Sequence, residues 1–132
     1  MEQRKIREEI FKILFEHELV SSNIFERTKQ FLEENKLSNS KEEFINRFMK
    51  EYSENEQELV TGLKKYLKTW SFERLGVVEK VLLKMSYYEI VLKKEEYEIV
   101  INEAVELAKI YGDVKTRQFI NGVLADLVKE MR

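Results

Sequence analysis

Residues 101–124 read as a helix, a tight turn and a second helix, and no other stretch limits the fold as strongly. Ile101, Ala104, Val105 and Ala108 recur at helical spacing, as do Phe119, Val123 and Leu127 beyond the turn, with Ile120, Leu124 and Met131 widening the second stripe. Each half therefore has an apolar face to bury, and packing the two together needs no catalytic chemistry. Between them, Gly112 is placed to end the first helix in the left-handed conformation. Thr116 is placed to cap the second by accepting a hydrogen bond from a free amide.

Three residues in this run are not explained by amphipathicity. Asn102 and Asn121 sit beside the apolar stripes, and Gly122 lies inside a helix, where glycine costs about 1 kcal/mol relative to alanine. One reading has Gly122 admitting a neighbouring helix while the asparagines hydrogen-bond across the packing seam. The other is a polar recognition surface around the turn.

The rest of the chain follows the same helical logic. It has no proline, four glycines and 36% charged residues, and no segment alternates in the manner of a strand, so an all-α fold is expected. The pattern predicts helices at about 3–20, 23–37, 41–52, 54–69, 77–94, 97–111 and 116–131. Asn23 with Glu26, Ser40 with Glu43 and Ser53 with Glu56 each place a cap acceptor and a carboxylate three residues on. Val78, Val81, Leu82, Met85, Tyr88 and Leu92 line up on the helix around which the C-terminal half should pack. At the front, Ile6, Ile10, Ile13 and Leu14 form the buried face. Phe11 and Phe15 extend it sideways, either as core or as a partner groove.

Several function classes are excluded or made improbable by inventory. Without cysteine there are no disulfides and no thiolate metal site, which fits a reducing compartment. No apolar run approaches the roughly 20 residues of a membrane span and the N-terminus is too polar for a secretory signal, so the expectation is a cytoplasmic protein with no membrane association. The single histidine, His17, has no cysteine or paired glutamate at metal-ligand spacing and reads as a surface or boundary helix residue. Glu103 and Glu106 share a helical side but have no histidine to complete a carboxylate metal site. The four glycines, Gly62, Gly76, Gly112 and Gly122, are too scattered for a phosphate loop. No catalytic residue, metal or cofactor is expected.

Charge distribution says more than the net charge of −2. Residues 33–58 hold eight acidic and four basic side chains. Over 64–84, by contrast, Lys64, Lys65, Lys68, Arg74, Lys80 and Lys84 face only Glu73 and Glu79. If the C-terminal helix pair docks beside the first helix, Arg4, Lys5, Arg7, Lys115 and Arg117 join Lys64 and Lys65 in one positive surface; otherwise these are scattered solvated charges. RNA recognition would use cations on phosphates and aromatic faces or amides on unstacked bases. Both kinds of group are available. Tyr66 follows Lys64 and Lys65, Tyr111 and Phe119 flank the turn bearing Lys115, Arg117 and Gln118, and the helix starting near Thr116 offers free amides to an anion.

The run INEAVELAK, then YG, then FINGVL, resembles the C-terminal signature of the NusB family of bacterial transcription antitermination factors. GVVEKVLLKMSYYEI, from Gly76 to Ile90, resembles that family's preceding helix, and RKIREEIFKILF, from Arg4 to Phe15, its basic first helix. The resemblance implies a single NusB-like domain over 1–132, a compact bundle of about seven helices with two packed three-helix subdomains near 1–53 and 54–132. It further implies binding of boxA-type single-stranded RNA together with NusE, the small-subunit ribosomal protein. On that reading the chain acts on the transcription elongation complex, supporting processive transcription of ribosomal RNA operons, as a monomer or homodimer. Phe15 matches an aromatic position on the NusE-facing side, and Glu79 an acidic partner-contact position. The alternative is a helical interaction module that binds a ribosomal-protein partner with little RNA affinity of its own.

Overall fold

The computed structural model describes residues 1–131 and contains α-helices but no strand among them. They divide into two units, Met1–Asn55 and a second that begins at Glu56. The division falls two residues beyond the expected one because the third helix runs on to Glu54 and is closed by Asn55, whose backbone N–H reaches the carbonyls of Glu51 and Tyr52.

The first unit holds three helices, α1 (Gln3–Val20), α2 (Ile24–Glu34) and α3 (Asn39–Glu54), each in contact with the other two. α1 buries Ile6, Ile10, Ile13 and Leu14 together with Phe11, so Phe11 is core. Phe15 is half-buried, its ring 5.8 Å from that of Phe11. α1 ends at Ser21, a left-handed residue with φ 57°. His17 in its last turn lies with Nδ1 2.7 Å from the Ser22 carbonyl, so that nitrogen donates. Asn23 caps α2 as expected, accepting from the Glu26 amide at 3.0 Å. α3 starts earlier than expected. Ser38 rather than Ser40 is its cap, and the stripe Ile45, Phe48, Met49, Tyr52 is its buried face. Ser53 does not cap the next helix either, because it lies inside α3 with its hydroxyl buried.

The second unit is built from four α-helices, as the periodicity predicts, rather than the three of the implied subdomain: α4 (Glu56–Lys64), α5 (Val77–Tyr87), α6 (Tyr97–Tyr111) and α7 (Val114–Met131). A short 3-10 turn, Phe72–Arg74, precedes α5, and a π-turn, Tyr88–Leu92, extends it. α5 touches α4, α6 and α7, and Val81 through Met85 with Ser86 are buried in succession, as a helix surrounded on all sides must be. The predicted central role of this helix is therefore observed. Its register carries a buried cation: the Lys84 side chain is 3% exposed, with Nζ 2.9 Å from Glu56 Oε2 at the start of α4. Gly62 is needed where α4 meets α5, since a Cβ there would overlap the phenol ring of Tyr87.

The buried face of α6 is turned from the expected one. Val100, Ala104, Leu107 and Ala108 are buried, whereas Ile101 and Val105 are only half-buried and line an open groove of about 560 Å³ along α6 and α7. On α7 the buried set is Ile120, Val123, Leu124, Leu127 and Val128. Phe119 is half-buried and Met131 is exposed.

Candidate nucleic-acid interface

The sequence pattern would carry α4 to residue 69, but it stops at Lys64. Three tighter backbone bonds follow, Tyr66 to Leu63 (2.9 Å), Leu67 to Lys64 (3.4 Å) and Trp70 to Leu67 (2.9 Å), and Lys68 turns left-handed with φ 57°. The break tucks Leu67 into the core and throws Trp70 out, 62% exposed. Trp70 then meets Phe119 of α7 in a T-shaped pair, centroids 5.6 Å apart and planes at 70°.

That pair is the shared wall of two grooves. One, of about 390 Å³, is lined by Tyr66, Lys68 and Asp126 with Gln118 and Gly122 of α7. The other, of about 330 Å³, is lined by Arg74, Gly76, Glu79, Asp113, Lys115 and Thr116. Of the eight expected RNA residues in this unit, Tyr66, Gln118, Phe119 and Lys115 line the two grooves, whereas Lys64, Lys65, Tyr111 and Arg117 do not; Lys64, at the end of α4, is bonded to Glu73 of the 3-10 turn. Trp70 and Arg74, outside the expected binding set, line these grooves as well. The usable signal was the chain's sole tryptophan, placed among lysines in a stretch whose helical pattern was read straight through.

The cations are not equivalent. Lys64 Nζ is 3.1 Å from Glu73, whose carboxyl is lowered to about 2 by its own backbone amide first, then by Lys64 and the Ser71 hydroxyl. Lys68 is 3.5 Å from Asp126, and Lys80 lies 5.9 Å over the Phe72 ring. Lys84, counted in the basic stretch, is buried and contributes nothing to a surface. Lys65, Arg74 and Lys115 are exposed and Arg117 is half-buried. Tyr66 is half-buried, its hydroxyl pushed up first by burial and then by the hydrogen-bonded Glu130 carboxylate; Tyr111 is half-buried as well.

The turn between α6 and α7 corrects three expectations. Gly112 is extended (φ −123°, ψ −153°), not left-handed; its role is steric, because a Cβ would come within 2.7 Å of the Thr116 side chain. Thr116 is not the cap. Asp113 is, accepting the Thr116 amide at 2.8 Å while the Thr116 hydroxyl oxygen receives the Asp113 amide at 3.2 Å. These bonds, the Thr116 amide first, hold the Asp113 carboxyl below its ordinary range. A carboxylate thus already occupies the start of α7, so the free amides expected to receive an anion are not on offer. Glu79, expected to face a partner, stands at the third position of α5 after the Gly76 cap and accepts from Thr116 Oγ1 at 3.2 Å, a tie within the scaffold.

In the first unit Arg4 is exposed, and Lys5 is exposed but pairs with Glu8 (3.2 Å) and Glu9 (3.6 Å), the Glu8 bond raising its pKa. Arg7 departs from expectation: it is 8% exposed, so its guanidinium is not a surface cation.

Gly122 is also reassigned. It is exposed, its φ is not positive, and an added Cβ would meet nothing within 4 Å. No helix approaches it. Asn102 and Asn121 are exposed and line the 560 Å³ groove beside Ile101 and Val105, so they do not bridge a buried seam.

Comparison with known proteins agrees with this architecture over almost the whole chain. The NusB family model matches residues 4–129. The transcription antitermination protein NusB of Sulfurovum sp. (strain NBC37-1) is 37% identical over 122 residues, covering 92% of this chain and 94% of the relative. Among solved structures, T. maritima NusB superposes with a TM-score of 0.89 at 31% identity, covering 98% of this chain and 92% of the other. A complex of the antitermination factors NusB and NusE with dsRNA contains a chain matching at TM-score 0.84 and 28% identity, covering 97% of this chain and 96% of its own. With the helix order, the motif-bearing turn and the full-length match all in agreement, the chain belongs to the NusB family.

Proposed function

We propose that this protein is a transcription antitermination factor that binds single-stranded RNA of the boxA type together with NusE, and so supports processive transcription of ribosomal RNA operons by the elongation complex. The observation that carries the reading is the aromatic and cationic face of the second unit, where Trp70, Phe119, Tyr66 and Gln118 line grooves shared with Lys68, Arg74 and Lys115. Cations there hold phosphates and set affinity. The aromatic rings and the Gln118 amide meet bases and set preference. A structural relative is a NusB–NusE complex with dsRNA, which supports NusE and RNA as partners; the single-stranded form is proposed from the exposed aromatic groups of this face. No reaction is catalysed, and the protein works in the cytoplasm alongside RNA polymerase.

NusE contact is assigned to the half-buried Phe15 of α1. Phe15→Ala should weaken NusE binding more than RNA binding; a lowered melting temperature with unchanged NusE affinity would place Phe15 in the core instead. The reading as a whole is tested by titrating a boxA-like RNA and a scrambled control with and without NusE. Selective RNA binding strengthened by NusE is expected. The engagement of Lys64 and Lys68 by Glu73 and Asp126 favours weak RNA binding by the isolated chain, so NusE binding with no effect on RNA at all would identify a protein-interaction module.

A further inference from the structure

We infer that Trp70 and the bare backbone at Gly122 form a slot that takes one unstacked nucleobase of the RNA, with Trp70 as the stacking platform. The inference rests on the RNA-binding reading above and adds to it the residues that hold the base.

Trp70 is large, apolar and 62% exposed, yet it is not loosely placed. Its amide is bonded to Leu67, the left-handed Lys68 sets its direction, and the T-shaped contact with Phe119 fixes the ring. A T-shaped partner leaves aromatic surface uncovered, and that surface borders the 390 Å³ groove, which has room for a purine or a pyrimidine. A platform held in place before binding loses little freedom on stacking, and every base has a face to offer it.

Gly122 supplies the second, independent observation. Glycine inside a helix usually answers to a positive φ or to a close neighbour, and neither is present here. Its missing side chain instead opens the groove beside Gln118 and Phe119, which lie four and three residues earlier on the same face of α7. A flat, planar ligand can reach the helix surface there, and the Gln118 amide can donate to and accept from its edge.

The surrounding charge selects a nucleotide over an apolar peptide. Arg74 and Lys115, which line the adjoining groove, are exposed and form no ion pair among the described residues, so they are available to a phosphate backbone. Duplex RNA keeps its bases stacked and offers none to the slot.

The chain's only tryptophan makes the test direct. The full chain is titrated with a boxA-like single strand of about twelve nucleotides, following Trp70 emission and the anisotropy of labelled RNA in parallel. Saturable quenching with the same midpoint as the anisotropy is expected. Trp70→Ala should weaken binding by about tenfold or more while leaving the salt dependence unchanged, and Trp70→Phe should restore most of the affinity. Gly122→Leu, with its helical signal intact, should weaken binding to a similar extent by filling the slot. Tight, salt-dependent RNA binding with unmoved Trp70 emission and a Trp70→Ala variant that binds normally would overturn the slot and leave the RNA reading standing. Equal quenching by the duplex would overturn the unstacked base. Absence of RNA binding by the wild-type protein, with and without NusE, would remove the RNA reading and the slot together.

Discussion

Replacing Gly122 by alanine should stabilise this protein, although one reading of the sequence has that glycine admitting a neighbouring helix. The added Cβ meets nothing within 4 Å and the backbone is in an ordinary helical conformation. The substitution therefore removes the helical penalty of glycine, about 0.8–1 kcal/mol, with much of the gain arising from a less flexible unfolded chain. For a chain of 132 residues the entropy of unfolding near the midpoint is about 0.28 kcal/mol/K, so the melting temperature should rise by about 3–4 °C. Gly62→Ala is the matched control. There the Cβ would overlap the outer end of the half-buried Tyr87 phenol, which would have to swing aside, so the gain seen at Gly122 should be absent or reversed. Calorimetric or circular-dichroism melts of the two variants beside the wild type make the comparison. A lowered melting temperature for Gly122→Ala, or equal effects of the two substitutions, would refute the placement of α7 on which the base slot depends.

Other outcomes follow from the polar contacts of the second unit. Lys84→Ala removes a buried side chain bonded to the partly exposed Glu56 and leaves a cavity, and should cost about 1–3 kcal/mol in urea denaturation; an unchanged stability would mean the side chain reaches solvent. Asp113→Ala should lower the melting temperature at neutral pH by opening the start of α7. Because the folded Asp113 carboxyl is held below its ordinary 3.8, its contribution is fully present above that value and is lost as pH falls through the lower folded value. The gap between wild type and Asp113→Ala should accordingly close in acid, and a gap independent of pH would contradict the capping role.

The helical class and the centrality of α5 were legible because they rest on long periodic stripes, which packing seldom overrides. Asn23 was readable as a cap for a local reason, the acceptor and its amide being three residues apart. Ser40 and Ser53 failed because the same local signal recurs inside α3, where continued burial of Phe48, Met49 and Tyr52 favours helix over a cap. The face of α6 was misjudged by one residue position: with Ile101 and Val105 both apolar, sequence spacing alone does not tell a core stripe from a groove wall. The lining of the two grooves was half legible. Tyr66, Gln118, Phe119 and Lys115 stand beside the turn or the lysine cluster in the sequence and line the grooves, but Trp70 joins them only because Lys68 adopts a left-handed conformation that no glycine announces. Arg7 and Lys84 were lost from the cationic set for one reason, namely that a formal charge in the sequence carries no information on burial.

The most direct test of the account is the salt dependence of RNA binding with the exposed cations removed. With about four phosphates neutralised, the logarithm of the affinity for single-stranded RNA should fall against the logarithm of salt with a slope near −3, about −0.7 per contact. Arg74→Ala and Lys115→Ala, at two exposed cations that line the groove, should each reduce that slope by about 0.7 with the helical signal unchanged. A flat salt response of the wild-type protein, or slopes that neither substitution alters, would contradict the claim that this face holds the RNA.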